Sequence, residues 1–465
     1  MGERKPGIAP PITDALKIRQ NESLVQQVRK YRLITPLFGG GVDPGVNDEI
    51  TPISGKAIRG HLRFWWRATR GGQYNACLKD MKQAEESIWG GASGNDTGQP
   101  STVNVAVKVI NKGTPKQPFT VEQQVRHGAL QFDRRGQKKP ELKAHETVAP
   151  AYLVFPLQPP TPLEVGKHTE AVREGVVFEL KISFPAKYKE DVEAALWAWE
   201  TFGGIGARTR RGFGALQLES CEVNGDKKTI PPMNDPAREI PQKLACYIPK
   251  ELFPENVPHL ALKPRLKITG ARPKAHMAWK HLSDALRDFR QSRSDREGQP
   301  SKYGKSDWPE PDAIKRYVLD LNEEDDHEYF KFKKAPPEEG IDKFPRAVLG
   351  LPIIFHFPQE KAFPDATLKG VKDDRGGKDD YVERMSSPLI LRPLAIGNGR
   401  FVGLAMILEA PQRPPQGFIL EWQPLGEDAP ETWNVKEQLT SNEADRIHPL
   451  SGKTNVLQAF LDNLR

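Results

Sequence analysis

Residues 54–72 read SGKAIRGHLRFWWRATRGG, and this stretch decides how the first half of the chain folds. Ser54 stands where a helix N-cap belongs, and Gly71 and Gly72 close the helix. At about 100° per residue, the cations share one side of the helix and most apolar residues share the other. The cationic side consists of Lys56, Arg59, Arg63, Arg67 and Arg70. The apolar side consists of Ala57, Ile58, Leu62, Phe64, Trp65 and Ala68, with Trp66 at the border.

The cationic side contains five like charges and no acidic residue. Such a row is self-repulsive, because like charges four residues apart destabilise a helix by a few tenths of a kcal/mol per pair. A face that is merely solvated usually includes Glu or Asp. The pattern therefore predicts a surface that binds phosphates, for which Arg is well suited. A solvated basic face without a ligand is the alternative.

Strand-like segments surround this helix and predict an α+β fold. A β-rich run at 27–38 precedes it, and a second helix is predicted at 188–202. Further strand-like runs lie at 102–110, 151–157, 176–184 and 213–218. The order favours a ferredoxin-like (RRM-like) βαββαβ domain with long inserted loops.

A second cycle of the same kind follows a stretch rich in Pro, Asn and charge. Its predicted helix is 275–290, and its predicted strands are 265–269, 351–357, 389–394, 401–408 and 417–422. We therefore predict two tandem ferredoxin-like domains. The predicted division is a flexible arm at 1–24, an N-terminal domain at 25–223, a linker at 224–258 and a C-terminal domain at 259–465. The polar insertions at 111–145 and 291–343 receive no role.

Composition narrows the possible functions. The chain has 465 residues, 37% hydrophobic and 28% charged, which is typical of a soluble globular protein. It contains no apolar run of 18 residues and no apolar leader, so we expect a cytoplasmic protein without a membrane span. The three cysteines and ten histidines are scattered, so we expect no metal and no cofactor. The net charge of +7 favours a polyanionic partner.

A second basic segment is GGIGARTRRGFG at 203–214. Its glycines permit close backbone approach to a ligand and exposed N–H groups that bind anions. Arg208, Arg210 and Arg211 are predicted to contact phosphates, and Phe213 either stacks on a base or belongs to the core. The segment matches neither a Walker A loop nor GxGxxG. A tight turn without a ligand is the alternative.

Together these segments resemble the Cmr-type RAMP subunit family of CRISPR effector complexes. The resemblance rests on TPLFGGG at 35–41, LRFWWRA at 62–68, IWGGA at 88–92, the 203–214 loop, GLPIIFHF at 350–357 and RMSSPLILRPL at 384–394. It implies tandem ferredoxin-like folds that assemble with other RAMP subunits. It also implies binding of CRISPR RNA and target RNA at the end distal to the 5′ tag, in antiviral defence, without a cofactor. Arg384, which opens the last segment, joins the predicted RNA-binding residues.

Two other classes of function stay open. Some RAMP paralogues cleave RNA with a histidine or an aspartate. His61 projects toward the apolar side, and His127 and His145 have no obvious partner. Asp43 and Asp48 lie in a glycine-rich loop, where aspartate is usually a turn residue. Glu323 and Asp326 belong to an acidic run typical of a solvated loop. We therefore expect no catalytic residue; a purely structural adaptor is the remaining alternative.

Overall fold

The computed structural model describes most of the chain between residues 23 and 465. The gaps are 42–44, 92–97, 127–128, 133–134, 163–164, 166–171, 296, 302–303, 321–339, 358–363, 373–380, 383, 412 and 424–429. The arm predicted at 1–24 lies almost entirely outside the described residues. So do Asp43, His127, Glu323 and Asp326.

The first half contains a five-stranded antiparallel sheet and the two predicted helices. Its elements, in chain order, are β1 (Leu24–Leu33), α1 (Gly55–Arg70), α2 (Leu78–Trp89), β2 (Asn104–Asn111), β3 (Thr114–Lys116), β4 (Phe119–Gln123), β5 (Val125–Arg126), β6 (Ala129–Leu130), β7 (Pro140–Ala144), α3 (Ala151–Val154), β8 (Val172–Glu174), β9 (Val177–Pro185), α4 (Lys189–Phe202), β10 (Leu216–Val223) and β11 (Asp226–Lys228).

The sheet has the strand order β11-β10-β1-β9-β2. Without the short edge strand β11, this is the fourth, first, third and second strand of a βαββαβ unit. The register is fixed by long ladders on both sides of β1, where Val28 lies opposite Lys181 and Glu222. Helices α1 and α4 pack against the sheet, and Tyr31, Phe178 and Trp199 are fully buried in the resulting core. Helices packed on an antiparallel sheet confirm the predicted α+β fold class for this half.

One predicted strand, 151–157, is wrong. Residues Ala151–Val154 form one turn of α-helix, and residues 155–157 continue it as a 3₁₀ turn. Leu153 and Val154 are both buried although they are consecutive, which strand alternation does not permit on a sheet with one covered face. Pro156 also removes a backbone donor that a strand ladder needs. The inner strands are β2 and β9 alone, and the insertion between them contains a hairpin in which β4 pairs with β7.

The segment predicted as a linker is folded. After β11 it contains helix α5 (Pro236–Tyr247), whose N-cap is Asp235. Ile240 and Leu244 of α5 are fully buried in the same core as α1 and α4. The short apolar repeat of this helix is hidden among prolines and charges, which is why its composition is typical of a linker.

The second half contains two larger sheets and one two-stranded sheet among the described residues. Its elements are β12 (Arg265–Ile268), α6 (Ala275–Arg290), β13 (Arg293–Ser294), β14 (Lys305–Ser306), α7 (Glu310–Asp320), β15 (Ile353–Phe355), β16 (Ala366–Val371), β17 (Tyr381–Val382), β18 (Leu389–Ile396), β19 (Arg400–Ile407), β20 (Phe418–Trp422), β21 (Glu431–Val435), α8 (Ser441–Asp445) and α9 (Val456–Asn463). The first of the two sheets has the order β12-β19-β18, and the second has the order β15-β16-β20-β21 with β17 beside β16.

The predicted strands of this half therefore do not form one sheet. The runs at 351–357 and 417–422 do contain strands, but β15 and β20 pair with β16 rather than with β18 or β19. Sequence analysis missed β16 and β21, which complete this separate sheet. The elements β12, α6, β18, β19 and α9 follow one another in the order βαββα, with β13, β14, α7, α8 and the separate sheet between them.

The sheet of β12, β18 and β19 is covered on both faces, and this joins the two halves. Ile390, Leu394 and Leu404 lie in the core of the first half. Leu389 and Leu391, on the opposite face, pack with residues of α6 and α9. Because alternate residues of β18 face opposite sides, Arg392 points toward the first half. One hydrophobic core therefore contains residues of both halves, and a second core lies on the opposite face of this sheet.

Candidate nucleic-acid interface

Helix α1 has the predicted cap and the predicted core face. The Ser54 side chain accepts a hydrogen bond from the Lys56 N–H at 3.2 Å. Ile58, Leu62 and Trp65 are buried. Trp66, which the helical projection leaves at the border, is fully buried, and its indole N–H donates to Asp191 at 2.9 Å. Ala57, predicted apolar-side, is exposed at the start of the helix.

Two arginines of the cationic side are neutralised by a carboxylate from another element. Glu85 of α2 accepts hydrogen bonds from Arg63 at 2.6 Å and from Arg67 at 2.5 Å. The Glu85 side chain is only 6% exposed, whereas the two arginines are about one-third exposed. The expected row of unpaired charges is therefore wrong at these two positions. The compensating charge comes from a helix 22 and 18 residues further along the chain, so the helical projection does not contain it.

Arg70 at the end of α1 is also paired. Its guanidinium lies 3.3 Å from Asp191 and 3.5 Å from Glu190, both in the first turn of α4. The side chain is nearly buried, so it is not presented to solvent. Lys56 and Arg59, one turn from the helix start, have no carboxylate partner among the described residues, and the Arg59 Nε is buried without a hydrogen-bond partner there.

The glycine-rich loop at 203–214 packs onto this helix. The Arg210 guanidinium lies 5.8 Å from the centre of the Phe64 ring, and a side chain at Gly203 would meet the Trp65 indole nitrogen. The two segments singled out by sequence therefore lie side by side. Gly212 has a φ of +85°, and a side chain there would approach Trp279 within 2.6 Å.

Several backbone N–H groups of the loop are bonded internally and are not available to an anion. The N–H of Ala207 donates to the Phe38 carbonyl at 2.7 Å, and that of Gly214 donates to Pro36 at 2.9 Å. The N–H groups of Arg211 and Gly212 bond to carbonyls within the loop. The expected nest is therefore wrong for these four groups, because the strand end after β1 and the turn itself consume the donors.

Arg210 and Arg211 bind the second half of the protein. Arg210 donates to the Ser387 carbonyl and Arg211 to the Leu389 carbonyl, both at 2.7 Å. Burial lowers the pKa of the Arg211 guanidinium to about 9, with a smaller contribution from Arg290 and other nearby cations. These two arginines fasten the loop to the start of β18. Neither is directed at solvent phosphates in this structure.

Phe213 belongs to the core. It is fully buried, and its ring packs edge-on against Trp279 with 4.8 Å between centroids. Stacking of this ring on a base is therefore wrong for this structure, and the core alternative is confirmed.

Arg392 is a structural residue that sequence analysis missed. It is fully buried and donates to the carbonyls of Glu200, Gly203 and Leu216 at 2.7–2.9 Å. These acceptors are the end of α4, the start of the glycine-rich loop and the start of β10. An arginine inside an apolar strand (LILRPL) is the signal that could have identified it, since a buried charge requires such partners.

Two predicted arginines remain available for a ligand near the loop. Arg208 has a left-handed backbone (φ +54°), and its Nε is buried without a hydrogen-bond partner among the described residues. Burial lowers the pKa of Arg208, and the charges of Arg290 and Arg384 lower it further. Arg384 is exposed. None of the side chains of Arg208, Arg290 and Arg384 is within salt-bridge distance of a described carboxylate.

The candidate nuclease residues have structural roles where the structure describes them. Asp48 accepts hydrogen bonds from the N–H groups of Ile50 and Thr51, both at 2.8 Å, which confirms the turn interpretation. These bonds lower its pKa. His61 stacks on Trp199, and burial lowers its pKa to about 4. His145 contacts the Thr147 hydroxyl. In the described parts of the chain, no cluster of three His, Cys, Asp or Glu side chains is arranged to hold a metal.

Comparison with known proteins shows which family the first half of the chain is similar to. Residues 30–217 match the family model of the RAMP superfamily, and this range includes α1 and the 203–214 loop. The chain is 25% identical over 199 residues, 40% of its length, to the CRISPR system Cmr subunit Cmr1-2 of Pyrococcus furiosus, of which the match covers 91%. No helix of the described residues is long and apolar enough to cross a membrane.

Two solved structures show similarity over nearly the whole chain. The crystal structure of apo Cmr1 from Pyrococcus furiosus has a TM-score of 0.46 at 15% identity, with 91% of this chain and 96% of that chain covered. A chain in the cryo-EM structure of Type III-B Cmr-beta bound to cognate target RNA and AMPPnP has a TM-score of 0.48 at 13% identity, with 95% and 98% covered.

The family that the first half matches, over residues 30–217, is the RAMP superfamily. Within that range, the chain is similar to the CRISPR system Cmr subunit Cmr1-2 of Pyrococcus furiosus.

Proposed function

We propose that this protein is a non-catalytic RNA-binding subunit of a Cmr-type, RNA-guided CRISPR effector complex. Its homology to a protein named as a Cmr subunit supports membership of such a complex. In this role it would assemble with other RAMP subunits and contact CRISPR RNA and target RNA at the end distal to the 5′ tag. A cytoplasmic location stays our prediction for a complex of this kind.

The observation that carries the RNA-binding proposal is a set of four cations without a carboxylate partner among the described residues. They are Lys56, Arg59, Arg208 and Arg384. The other predicted cations either pair with carboxylates or donate hydrogen bonds to backbone carbonyls of the protein. Uncompensated cations on a globular surface attract a polyanion, and arginine pairs with phosphate oxygens in two-pronged fashion. Arg63 and Arg67, one-third exposed, would line the same surface with their charge shared by Glu85.

Binding of fluorescently labelled single-stranded RNA tests this proposal. Replacing Lys56 and Arg59 with Gln removes two free charges, and we expect RNA affinity to fall about tenfold, since each lost phosphate contact weakens binding. The matched control replaces Lys227 and Arg238, exposed cations on β11 and α5, with Gln. Equal affinities of the two variants would contradict the proposal.

The same protein should not cut RNA by itself. Asp48 is held by two backbone N–H groups in a turn, which supports a structural role. Replacing Asp43 and Asp48 with Ala should leave the pattern of target cleavage by the assembled complex intact. Loss of one cleavage product in that double variant would instead assign a nuclease role to this loop.

We also infer that the two halves are a tandem pair of ferredoxin-like units. The order βαββαβ of the first half and the order βαββα of β12, α6, β18, β19 and α9 support this inference. The separate sheet of β15, β16, β20 and β21 would then be an insertion and an extension of the second unit. The boundaries 25–223 and 259–465 remain a proposal, with residues 224–258 packed on the first unit.

A further inference from the structure

An exposed aromatic ring lies beside the glycine-rich loop. Phe155 follows helix α3 and is 63% exposed, whereas its neighbours Leu153 and Val154 are buried. The guanidinium carbon of Arg208 lies 5.7 Å from the centre of the Phe155 ring. The ring is therefore held on a short anchored helix, contacts one arginine and leaves most of its surface to solvent.

Two further arginines, from other parts of the chain, act electrostatically on Arg208. Arg208 belongs to the loop, Arg290 ends α6, and Arg384 precedes β18. The loop is tied to this part of the second half by the bonds from Arg210 to Ser387 and from Arg211 to Leu389. The charges of Arg290 and Arg384 lower the pKa of Arg208, which places them within electrostatic range of it, and Tyr152 partly opposes the effect.

This cluster is poorly compensated. Burial itself lowers the pKa of Arg208, and its Nε has no hydrogen-bond partner in the part of the chain that the structure describes. A buried donor left unsatisfied destabilises a fold. The left-handed backbone at Arg208 adds strain. The fold therefore tolerates three unfavourable features at one residue, and such local strain is concentrated at functional sites.

We propose that Phe155, Arg208, Arg290 and Arg384 form a pocket for one unstacked nucleotide of single-stranded RNA. The base would lie against the exposed surface of Phe155, and the flanking phosphates would be held by the three arginines. This inference rests on the proposed RNA-binding function and names the chemistry of one subsite within it. Aromatic rings bind bases of any sequence in this way, because every base has a π-face.

The pocket draws on both halves of the protein. Phe155 and Arg208 belong to the first half, and Arg290 and Arg384 belong to the second. A nucleotide in the pocket would therefore bridge the halves, at the junction that Arg211 and Arg392 already hold rigid. The subsite is distinct from the Lys56 and Arg59 surface on α1, so the two contributions can be separated by mutation.

The test compares two short probes on the full-length protein. One probe is a five-nucleotide oligouridylate, and the other is the same ribose-phosphate backbone without bases. The variants are Phe155→Leu, which keeps an apolar side chain and loses the ring, and Arg384→Gln. The control for Phe155→Leu is Phe155→Tyr, and the control for Arg384→Gln is Arg238→Gln. Because Phe155 and Arg384 are exposed, we expect thermal midpoints within 1–2 °C, roughly, of wild type.

The proposed pocket predicts a specific pattern of affinity losses among the variants. Phe155→Leu should weaken oligouridylate binding about tenfold, as expected for one base–aromatic stack, and leave binding of the abasic probe unchanged. Phe155→Tyr should bind as wild type does. Arg384→Gln should weaken both probes equally, and Arg238→Gln should weaken neither.

Failure of this inference and failure of the proposed function give different results. If wild type binds oligouridylate and Phe155→Leu binds both probes as wild type does, the nucleotide pocket is wrong while RNA binding stands. An equal loss for both probes in Phe155→Leu would also contradict stacking. If wild type binds neither probe nor longer RNA at low salt, the proposed function is wrong and the pocket with it.

Discussion

At the residue scale, Glu85 determines how much of the α1 surface carries a free charge. Its buried carboxylate accepts from Arg63 and Arg67 and neutralises the middle of the cationic row. The free charges are therefore displaced toward the start of the helix, at Lys56 and Arg59. Arg63 and Arg67 therefore stabilise the fold as well as adding positive charge to the surface of α1.

The helical projection suggests that removing Arg63 and Arg67 would stabilise the helix, but their pairing with Glu85 predicts the opposite. Replacing Arg63 and Arg67 with Ala would relieve repulsion in an isolated row, but here it leaves a buried carboxylate without a partner. We expect the double variant to lose about 3 kcal/mol of unfolding free energy, the lower end for a broken buried pair because both arginines are partly exposed. Denaturant unfolding measures the loss, and adding Glu85→Gln should restore part of it. An unchanged or raised thermal midpoint would contradict the pairing.

His61 gives the fold a pH dependence of known sign. Burial lowers the folded-state pKa of His61 from 6.5 to about 4. Between these values the unfolded chain takes up a proton that the folded protein does not, so stability falls as pH drops from 6.5 toward 4. The full effect is about 3 kcal/mol at most. Unfolding free energies measured from pH 7 to 4.5 should fall less steeply in His61→Gln; identical slopes would show that His61 titrates normally.

At the element scale, the glycine-rich loop is a structural joint between the halves. Its backbone donors are satisfied by the segment after β1, and two of its arginines bind carbonyls at the start of β18. Gly212 matters most, because Trp279 donates its indole N–H to the neighbouring Arg211 carbonyl at 2.7 Å. This close approach leaves no room for a side chain.

Substituting two glycines that have the same backbone conformation separates the effect of backbone strain from that of steric crowding by neighbouring atoms. Gly212 (φ +85°) faces Trp279 and the Leu391 carbonyl within 3 Å of a built Cβ, whereas Gly225 (φ +89°) faces open space. Gly225→Ala should destabilise by about 1–2 kcal/mol from backbone strain alone. Gly212→Ala should destabilise by about 1–3 kcal/mol more, because packed atoms must shift. Equal losses in denaturant unfolding would place the loop away from Trp279.

Local periodicity allowed several elements to be predicted, and its absence explains the errors. Helix α1 has a strong amphipathic pattern and a cap, so its existence and core face follow from sequence. Residues 151–157 are a short apolar run, which periodicity cannot assign to strand or helix. Helix α5 was missed because prolines and charges surround its two buried residues. Pairing of strands within the second half depends on long-range contacts that no local pattern contains.

The candidate site also has features that the sequence predicts and features that depend on long-range contacts. Which residue types carry charge can be read from the sequence, and Lys56, Arg59, Arg208 and Arg384 have no carboxylate partner among the described residues. Which charges are cancelled depends on Glu85, Glu190 and Asp191, which reach α1 from other helices. Phe155 was missed because its exposure follows from the turn that replaces the expected strand.

At the scale of the whole molecule, one sheet couples the two halves. The sheet of β12, β18 and β19 has one face in the core of the first half and the other against α6 and α9. Buried Arg392 adds hydrogen bonds across this junction. The four free cations are placed on both sides of the junction, so the relative position of the halves fixes the spacing of the proposed phosphate contacts.

The salt dependence of RNA binding tests directly whether Lys56, Arg59, Arg208 and Arg384 hold the phosphates of RNA. The measurement compares wild type with a variant in which Lys56, Arg59, Arg208 and Arg384 are all replaced by Gln, at several salt concentrations. If each free cation neutralises one phosphate of single-stranded RNA, the slope of log K against log salt should be shallower in the variant by about 3. Equal slopes and equal affinities for the two proteins would contradict the account, because RNA would then be bound elsewhere or not at all.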